Sequence, residues 1–326
     1  AVIFFACLIT LLGCEIIYRG YVYFKKPLYT PSSYPNLGWE LNPGAVQVLA
    51  NLKGAAVSYL INSIGSRDQN NGEWKRWGPG DIKLVFIGDS ITFGMDVDYE
   101  DSYPSVVESS LLDFTQGVKV VNFGVTGTNT LQHLAILNYK TIPLKPDIVI
   151  LGYFLNDTER RGTEKLPYLA QFILRHYHFG VFLLSHINAA LQNNKVSVAN
   201  YTNDTIETYN TGKWDENKQL LSEMSDKCKQ NGVEFAIICF PFESQLMDTG
   251  MSRYPQKLIA DFCSSKGIPF LDIAEIYKTY DSKKLYCSES DDLHPNILGH
   301  KVAGEAISKW ILSDPRLNGV FKKHVH

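Results

Sequence analysis

Three short pieces of the chain, far apart in sequence, carry residue types that could work on one substrate: Gly88-Asp89-Ser90, Asn156-Asp157 and Asp291-Asp292-Leu293-His294. A serine hydroxyl is a weak nucleophile until a base removes its proton during attack. Imidazole titrates near neutrality, so His294 can accept the Ser90 proton and pass it to a leaving group. Asp291, three residues before His294, can hold the imidazole in the required tautomer. Asp292 is the weaker candidate, since adjacent side chains diverge. The oxyanion formed on attack needs fixed donors, and the Asn156 amide and the main-chain N–H of Gly127 are the candidates. Each residue also has an ordinary reading: Ser90 as a helix cap, Gly127 as a tight turn, Asn156 as an Asx turn.

What joins these residues is the order of elements around them. From Asp81 onward, β-branched apolar runs of strand length alternate with segments of helical period. Strands are expected at Lys83 to Ile87, Val118 to Phe123, Asp147 to Leu151, Val233 to Phe240 and Ile268 to Leu271, and helices at Tyr103 to Leu112, Thr130 to Leu137, Lys213 to Lys229, Tyr254 to Lys266 and Ile297 to Leu312. The alternation predicts a doubly wound α/β sheet of about five parallel strands, with ligands at the carboxyl ends. Ser90, Gly127 and Asn156 each follow a predicted strand, so all three fall on that edge.

At 326 residues, 45% of them hydrophobic, the chain can bury one large domain with additions. Its net charge of -3 leaves no basic excess for nucleic acid, which is excluded as a partner. The uncharged run Ala1 to Cys14 continues through Ile16 to Tyr18, and residues 1–18 are expected to be a membrane anchor incomplete at its N-terminus, a signal peptide and a buried helix being the competing readings. The catalytic part is expected outside the cytoplasm, although Arg19, Lys25 and Lys26 directly after the run carry the opposite signal. Residues 19–80 read as an irregular connector containing a short strand and turn near Leu60 to Arg67. The main domain is expected over 81–313, with an insertion at 158–232 and a tail at 314–326. Within the insertion, the aromatic stretch Tyr168 to Leu191 reads as a core-covering helix or as a lid.

The six cysteines form no Cys-x-x-Cys pair, and only Cys228, Cys263 and Cys287 are plausible disulfide partners. No metal and no cofactor is expected: Gly124-x-x-Gly127 lacks the first glycine of a dinucleotide fingerprint, and Asp96, Asp98, Glu100 and Asp101 match no calcium loop. The absence of Gly-x-Ser-x-Gly removes the α/β-hydrolase signature.

In order, Val85-Phe86-Ile87-Gly88-Asp89-Ser90, Val121-Asn122-Phe123-Gly124-Val125-Thr126-Gly127, Asn156-Asp157 and Asp291-x-x-His294-Pro295 resemble the SGNH (GDSL) hydrolase family over roughly Lys83 to Leu312. The resemblance implies a flavodoxin-like three-layer α/β/α domain. It also implies Ser90 as nucleophile, His294 as base and Asp291 as its orienter, with the Ser90 N–H, Gly127 and Asn156 as the oxyanion hole. Asn62-Ser63-x-Gly65-x-Arg67 and the apolar N-terminus resemble a membrane-anchored bacterial branch. One departure is that Phe154-Leu155 precedes Asn156, where the family has Gly-x, and the nearest glycine is Gly152. The activity implied is hydrolysis or transfer of an O-acyl group, an acetyl group on a carbohydrate by family analogy. A lipase or lysophospholipase, and a non-catalytic subunit of a membrane assembly, are the alternatives.

Overall fold

The computed structural model describes residues 2–75, 77–159, 177, 179, 198–247, 251–288 and 291–324. Among these, β1 (Tyr29–Pro31) and β2 (Trp39–Leu41) form a small antiparallel ribbon. The main sheet contains β3 (Val46–Ala50), β4 (Ala56–Ile61), β5 (Arg67–Asp68), β6 (Ile82–Gly88), β7 (Val118–Gly124), β8 (Ile148–Phe154), β9 (Glu234–Phe240) and β10 (Phe270–Asp272). A separate hairpin pairs β11 (Tyr286–Ser288) with β12 (Asp291–Pro295).

The order β10-β9-β8-β6-β7 is parallel throughout, as the alternating pattern predicts, and bends back on itself at β6. All seven residues of β8 are buried, which requires cover on both faces. The helices among these residues are α1 (Val2–Lys25), α2 (Ser90–Phe93), α3 (Tyr103–Leu112), α4 (Thr130–Ile136), α5 (Val198–Glu207), α6 (Gly212–Gln230), α7 (Tyr254–Lys266), α8 (Ile273–Tyr277), α9 (Ile297–Ser313) and α10 (Pro315–His324), and the strands of the parallel core are packed by helices among α2 to α10. Helix α9 packs on α3, α8 and α10, while α4 packs on α6.

Several expectations need correction. The sheet has eight strands rather than about five, because β5, β4 and β3 continue it antiparallel beyond β7. These strands come from the segment expected to be an irregular connector. Their shortness and their Gly- and Asn-rich joints hid them. The turn between β4 and β5 is closed by one side chain: Asn62 Oδ1 accepts from the N–H groups of Ile64 and Ser66, while its Nδ2 donates to Ser66 Oγ and Asp68 Oδ2. Residues 315–324, expected as a tail, form α10 with Leu317, Val320 and Phe321 buried. Helix α1 forms where the anchor was expected, but among the described residues no helix is long and apolar enough to cross a membrane. Glu15 and Arg19 pair within it. The aromatic stretch Tyr168 to Leu191, apart from residues 177 and 179, lies outside the described residues. Cys228, Cys263 and Cys287 are free thiols.

One feature of the sheet sets the height of everything above it. Gly88, Gly124 and Gly152 stand side by side on adjacent strands, Gly88 in register with both of the others. Helix α2 rests directly on this row: a Cβ on Gly124 would meet Phe93 N at 2.2 Å, and a Cβ on Gly152 would meet Thr92 Oγ1 at 2.2 Å. No side chain larger than hydrogen fits there. Gly152 therefore has a place in the site's foundation, although it lies outside the expected Gly-x-Asn-Asp spacing.

Candidate active site

Ser90 opens α2 immediately beyond β6. Asp89 caps the helix by accepting a hydrogen bond from Ile91 N–H at 2.9 Å, a short polar side chain satisfying a donor the first turn leaves free. This cap fixes the strand-to-helix turn and lifts the Ser90 hydroxyl clear of the sheet.

His294 reaches the serine from the other end of the chain. Its Nε2 lies 2.8 Å from Ser90 Oγ, and its Nδ1 lies 2.8 Å from Asp291 Oδ2. Asp291 and His294 lie on β12, held by pairing with β11. The second carboxylate oxygen of Asp291 accepts from the N–H groups of Leu293 and His294, so the carboxylate is fixed by its own strand. With Nδ1–H donating to the carboxylate, Nε2 is left to accept the serine proton.

The electrostatics favour a charged pair. Burial disfavours the imidazolium, but the hydrogen bond it donates to Asp291 and the charges of Asp291, Asp89 and Asp96 outweigh it and raise the His294 pKa above 6.5. Burial likewise pushes Asp291 up, and the hydrogen bonds and charge of His294 more than reverse this, so its carboxyl sits below its ordinary value. Both partners thus shift toward the ionised state.

Gly127 and Asn156 lie at the same carboxyl edge, on the loops after β7 and β8. Gly127 adopts φ +71°, with Trp39 against it. Its loop is braced from outside the parallel strands: Trp39 Nε1 donates to Thr126 O, and Thr126 Oγ1 donates to Tyr29 Oη. Asn156 is nearly buried, and its Nδ2 donates to Tyr201 Oη at 3.2 Å. Tyr201, on α5, is a site residue that the sequence did not reveal, since a 45-residue separation leaves no local signal.

Beneath these loops lies a second buried array. His133 Nε2 is 3.0 Å from Thr128 Oγ1, and its Nδ1 is 3.7 Å from Asp157 Oδ2. Complete burial lowers the His133 pKa to about 3, so this ring is neutral. Asp157 Oδ2 accepts a hydrogen bond from Phe154 N–H, which holds the loop after β8. His300 is buried as well, accepting a hydrogen bond from Tyr103 N–H, which agrees with a packing role.

The acidic residues near Asp96 divide. Asp98 accepts from Ser58 N–H, tying the loop to β4, whereas Asp96 turns its charge toward His294 and Asp291. Among the described residues no cluster could hold a metal ion. A polar cleft of about 740 Å³ lies between Asn138 and Tyr139 and the α6 residues Gln219, Ser222 and Glu223, and it contains no residue of this site.

Comparison with known proteins yields matches at several levels. Over 75 residues the chain is 35% identical to an arylesterase of Vibrio mimicus, a stretch that spans 23% of this chain and only 38% of that relative. A catalytic mutant of an acetylxylan esterase from Geobacillus stearothermophilus aligns with a TM-score of 0.43 at 19% identity, covering 73% of this chain and 95% of that one. An alpha/beta hydrolase enzyme from the metagenome of Lake Arreo, Spain, aligns with a TM-score of 0.44 at 18% identity, covering 76% and 99% respectively. Residues 86–302, about two thirds of the 326 residues, match the model of the GDSL-like Lipase/Acylhydrolase family. That match runs from the strand before Ser90 to the helix after His294, and the chain belongs to the GDSL-like lipase/acylhydrolase family.

Proposed function

We propose that the protein is a serine esterase that cleaves an O-acyl ester through an acyl-enzyme on Ser90. The observation that carries this reading is the continuous line Ser90 Oγ, His294 Nε2, His294 Nδ1, Asp291 Oδ2, with 2.8 Å at each contact. Ser90 Oγ attacks the ester carbonyl carbon while its proton passes to His294 Nε2. The carbonyl oxygen becomes an oxyanion, for which the N–H groups of Ser90 and Gly127 and the Asn156 amide are the donors. Collapse breaks the carbonyl–alkoxy bond, and the imidazolium gives its proton to the departing alcohol. Water, or another hydroxyl, then repeats the sequence in reverse: it loses a proton to His294 and takes the acyl group from Ser90.

For the substrate we infer a short O-acyl group, with an acetylated glycan as the first candidate. The relative named an arylesterase supports a small ester. A fluorophosphonate should label the wild-type protein and fail to label Ser90→Ala. Equal labelling of the two would overturn the nucleophile, and a preference for long over short acyl esters would favour the lipase reading.

Attachment to a membrane through the N-terminal segment, and a working place outside the cytoplasm, belong to the same proposal. The uncharged run Ala1 to Cys14 and the exposed Phe5, Ile9, Leu11 and Leu12 of α1 support them. Release of the full chain from membranes by alkaline carbonate would count against attachment.

A further inference from the structure

Among the described residues Arg67 is the largest fully buried side chain, 1% exposed on β5. Burying a guanidinium is costly unless its donors are used. Among the described residues this one bonds to no carboxylate. Its Nη1 donates to the carbonyls of Phe93 and Gly94, and its Nη2 donates to the carbonyl of Val97 at 2.5 Å. The guanidinium lies 4.8 Å from the centroids of both the Tyr59 and the Phe93 ring, which stack on each other with their centroids 5.2 Å apart.

Two of the three carbonyls lie at the end of α2, where helix acceptors lose their intrahelical partners: Phe93 is its last residue and Gly94 its C-cap, while Val97 lies in the turn that follows. Helix α2 is a single turn with Ser90 as its first residue. A cation at its carboxyl end satisfies the orphan acceptors and complements the helix dipole. Gly94 leaves room for the contact, since a Cβ there would stand 2.6 Å from Arg67 Nη1. Beyond it, Asp96 N–H donates to Tyr59 Oη, which fixes the backbone of an acid whose charge acts on His294. Both Tyr59 and Arg67 belong to strands that precede residue 86, where the family match begins.

We propose that Arg67 is a positioning residue for the nucleophile: supplied by the antiparallel extension, it clamps the far end of the one-turn helix that presents Ser90. This rests on the reading of Ser90 as nucleophile. The clamp acts on how Ser90 is held for attack, not on how substrate binds.

The test compares wild type, Ser90→Ala, Arg67→Met and Arg67→Lys in the full chain. It measures the rate of fluorophosphonate labelling, kcat and KM for a short acyl ester, and folding by circular dichroism. Labelling of Ser90→Ala at the wild-type rate would overturn the nucleophile itself, independently of the arginine. If Ser90 is the labelled residue, folded Arg67→Met should label at least about tenfold more slowly, with kcat reduced similarly and KM within about twofold, because small displacements of a reacting atom cost rate rather than affinity. Arg67→Lys keeps the charge but not the planar fork, and should recover part of the rate. Wild-type labelling and kcat in a folded Arg67→Met would overturn the proposal, as would a rise in KM with kcat unchanged. If Arg67→Met does not fold, Arg67→Lys decides: a reduced kcat at unchanged KM supports the clamp, and a wild-type kcat overturns it. Failure of both variants to fold would assign Arg67 to folding alone and overturn it too.

Discussion

In the proposed mechanism the chemistry at the residue scale turns on one proton. His294 must be neutral to accept it, and its pKa is raised, so the ring holds a proton to higher pH than an ordinary histidine would. Activity therefore falls as pH drops through that raised value, and the acid limb of kcat/KM should lie above 6.5, the ordinary histidine value. Asp291→Asn removes the principal favourable contacts of the imidazolium, so the limb should move to lower pH. The same change should lower kcat by a factor on the order of 10⁴, because the tautomer is no longer held. A pH profile of the variant with the limb unmoved would show that Asp291 does not set the His294 charge. Ser90, Asp291 and His294 were legible in the sequence because nucleophile, base and orienter are distinct chemical types in recognisable short patterns. The surroundings of Asn156 were not: its hydrogen bond to Tyr201 is made across the insertion, and no spacing rule announces such a contact.

At the scale of elements, the position of His294 depends on a junction. Asn296 follows β12 and caps α9: its Oδ1 accepts from Leu298 and Gly299 N–H, and its Nδ2 donates to the carbonyls of Lys284 and Tyr286. One side chain thereby joins the strand carrying His294, the helix after it and the β11 side of the hairpin. Asn296→Ala removes a cap and two tethers at once, and should cost about 1–2 kcal/mol of stability, read from a denaturant midpoint. Activity measured well below that midpoint should also fall, since β12 loses its lower anchor. Helix and strand positions in the parallel core were legible because burial imposes a period on the sequence; α3 and α7 lie where the pattern placed them. The placement of His294 on a strand was not legible, because β12 is a short, polar segment stabilised by its partner rather than by its own propensity.

For the whole molecule, the antiparallel extension decides what can be separated from what. Without β5 to β3, strand β7 becomes an open edge of the sheet, and the clamp on α2 is lost with Arg67. A protein beginning at Asp81 should be markedly less stable than one beginning at Lys26, and more prone to associate through its new edge. Urea unfolding and sedimentation of the two would show this, and equal midpoints would mean that the parallel core stands alone. The extension was largely hidden in the sequence because its strands are as short as two residues and gain their register from neighbours. The five parallel strands, by contrast, announced themselves through short, mostly apolar runs spaced by segments of helical period.

The glycine row beneath α2 carries a consequence for folding as well as for geometry. Gly88, Gly124 and Gly152 share one rung only in the native pairing. A slip of β7 by a single residue would bring Phe123 or Val125 onto that rung and leave the nucleophile's helix nowhere to sit. A misaligned sheet is therefore a silent enzyme, and the fraction of molecules titrated by an active-site reagent counts those whose strands have found their proper partners.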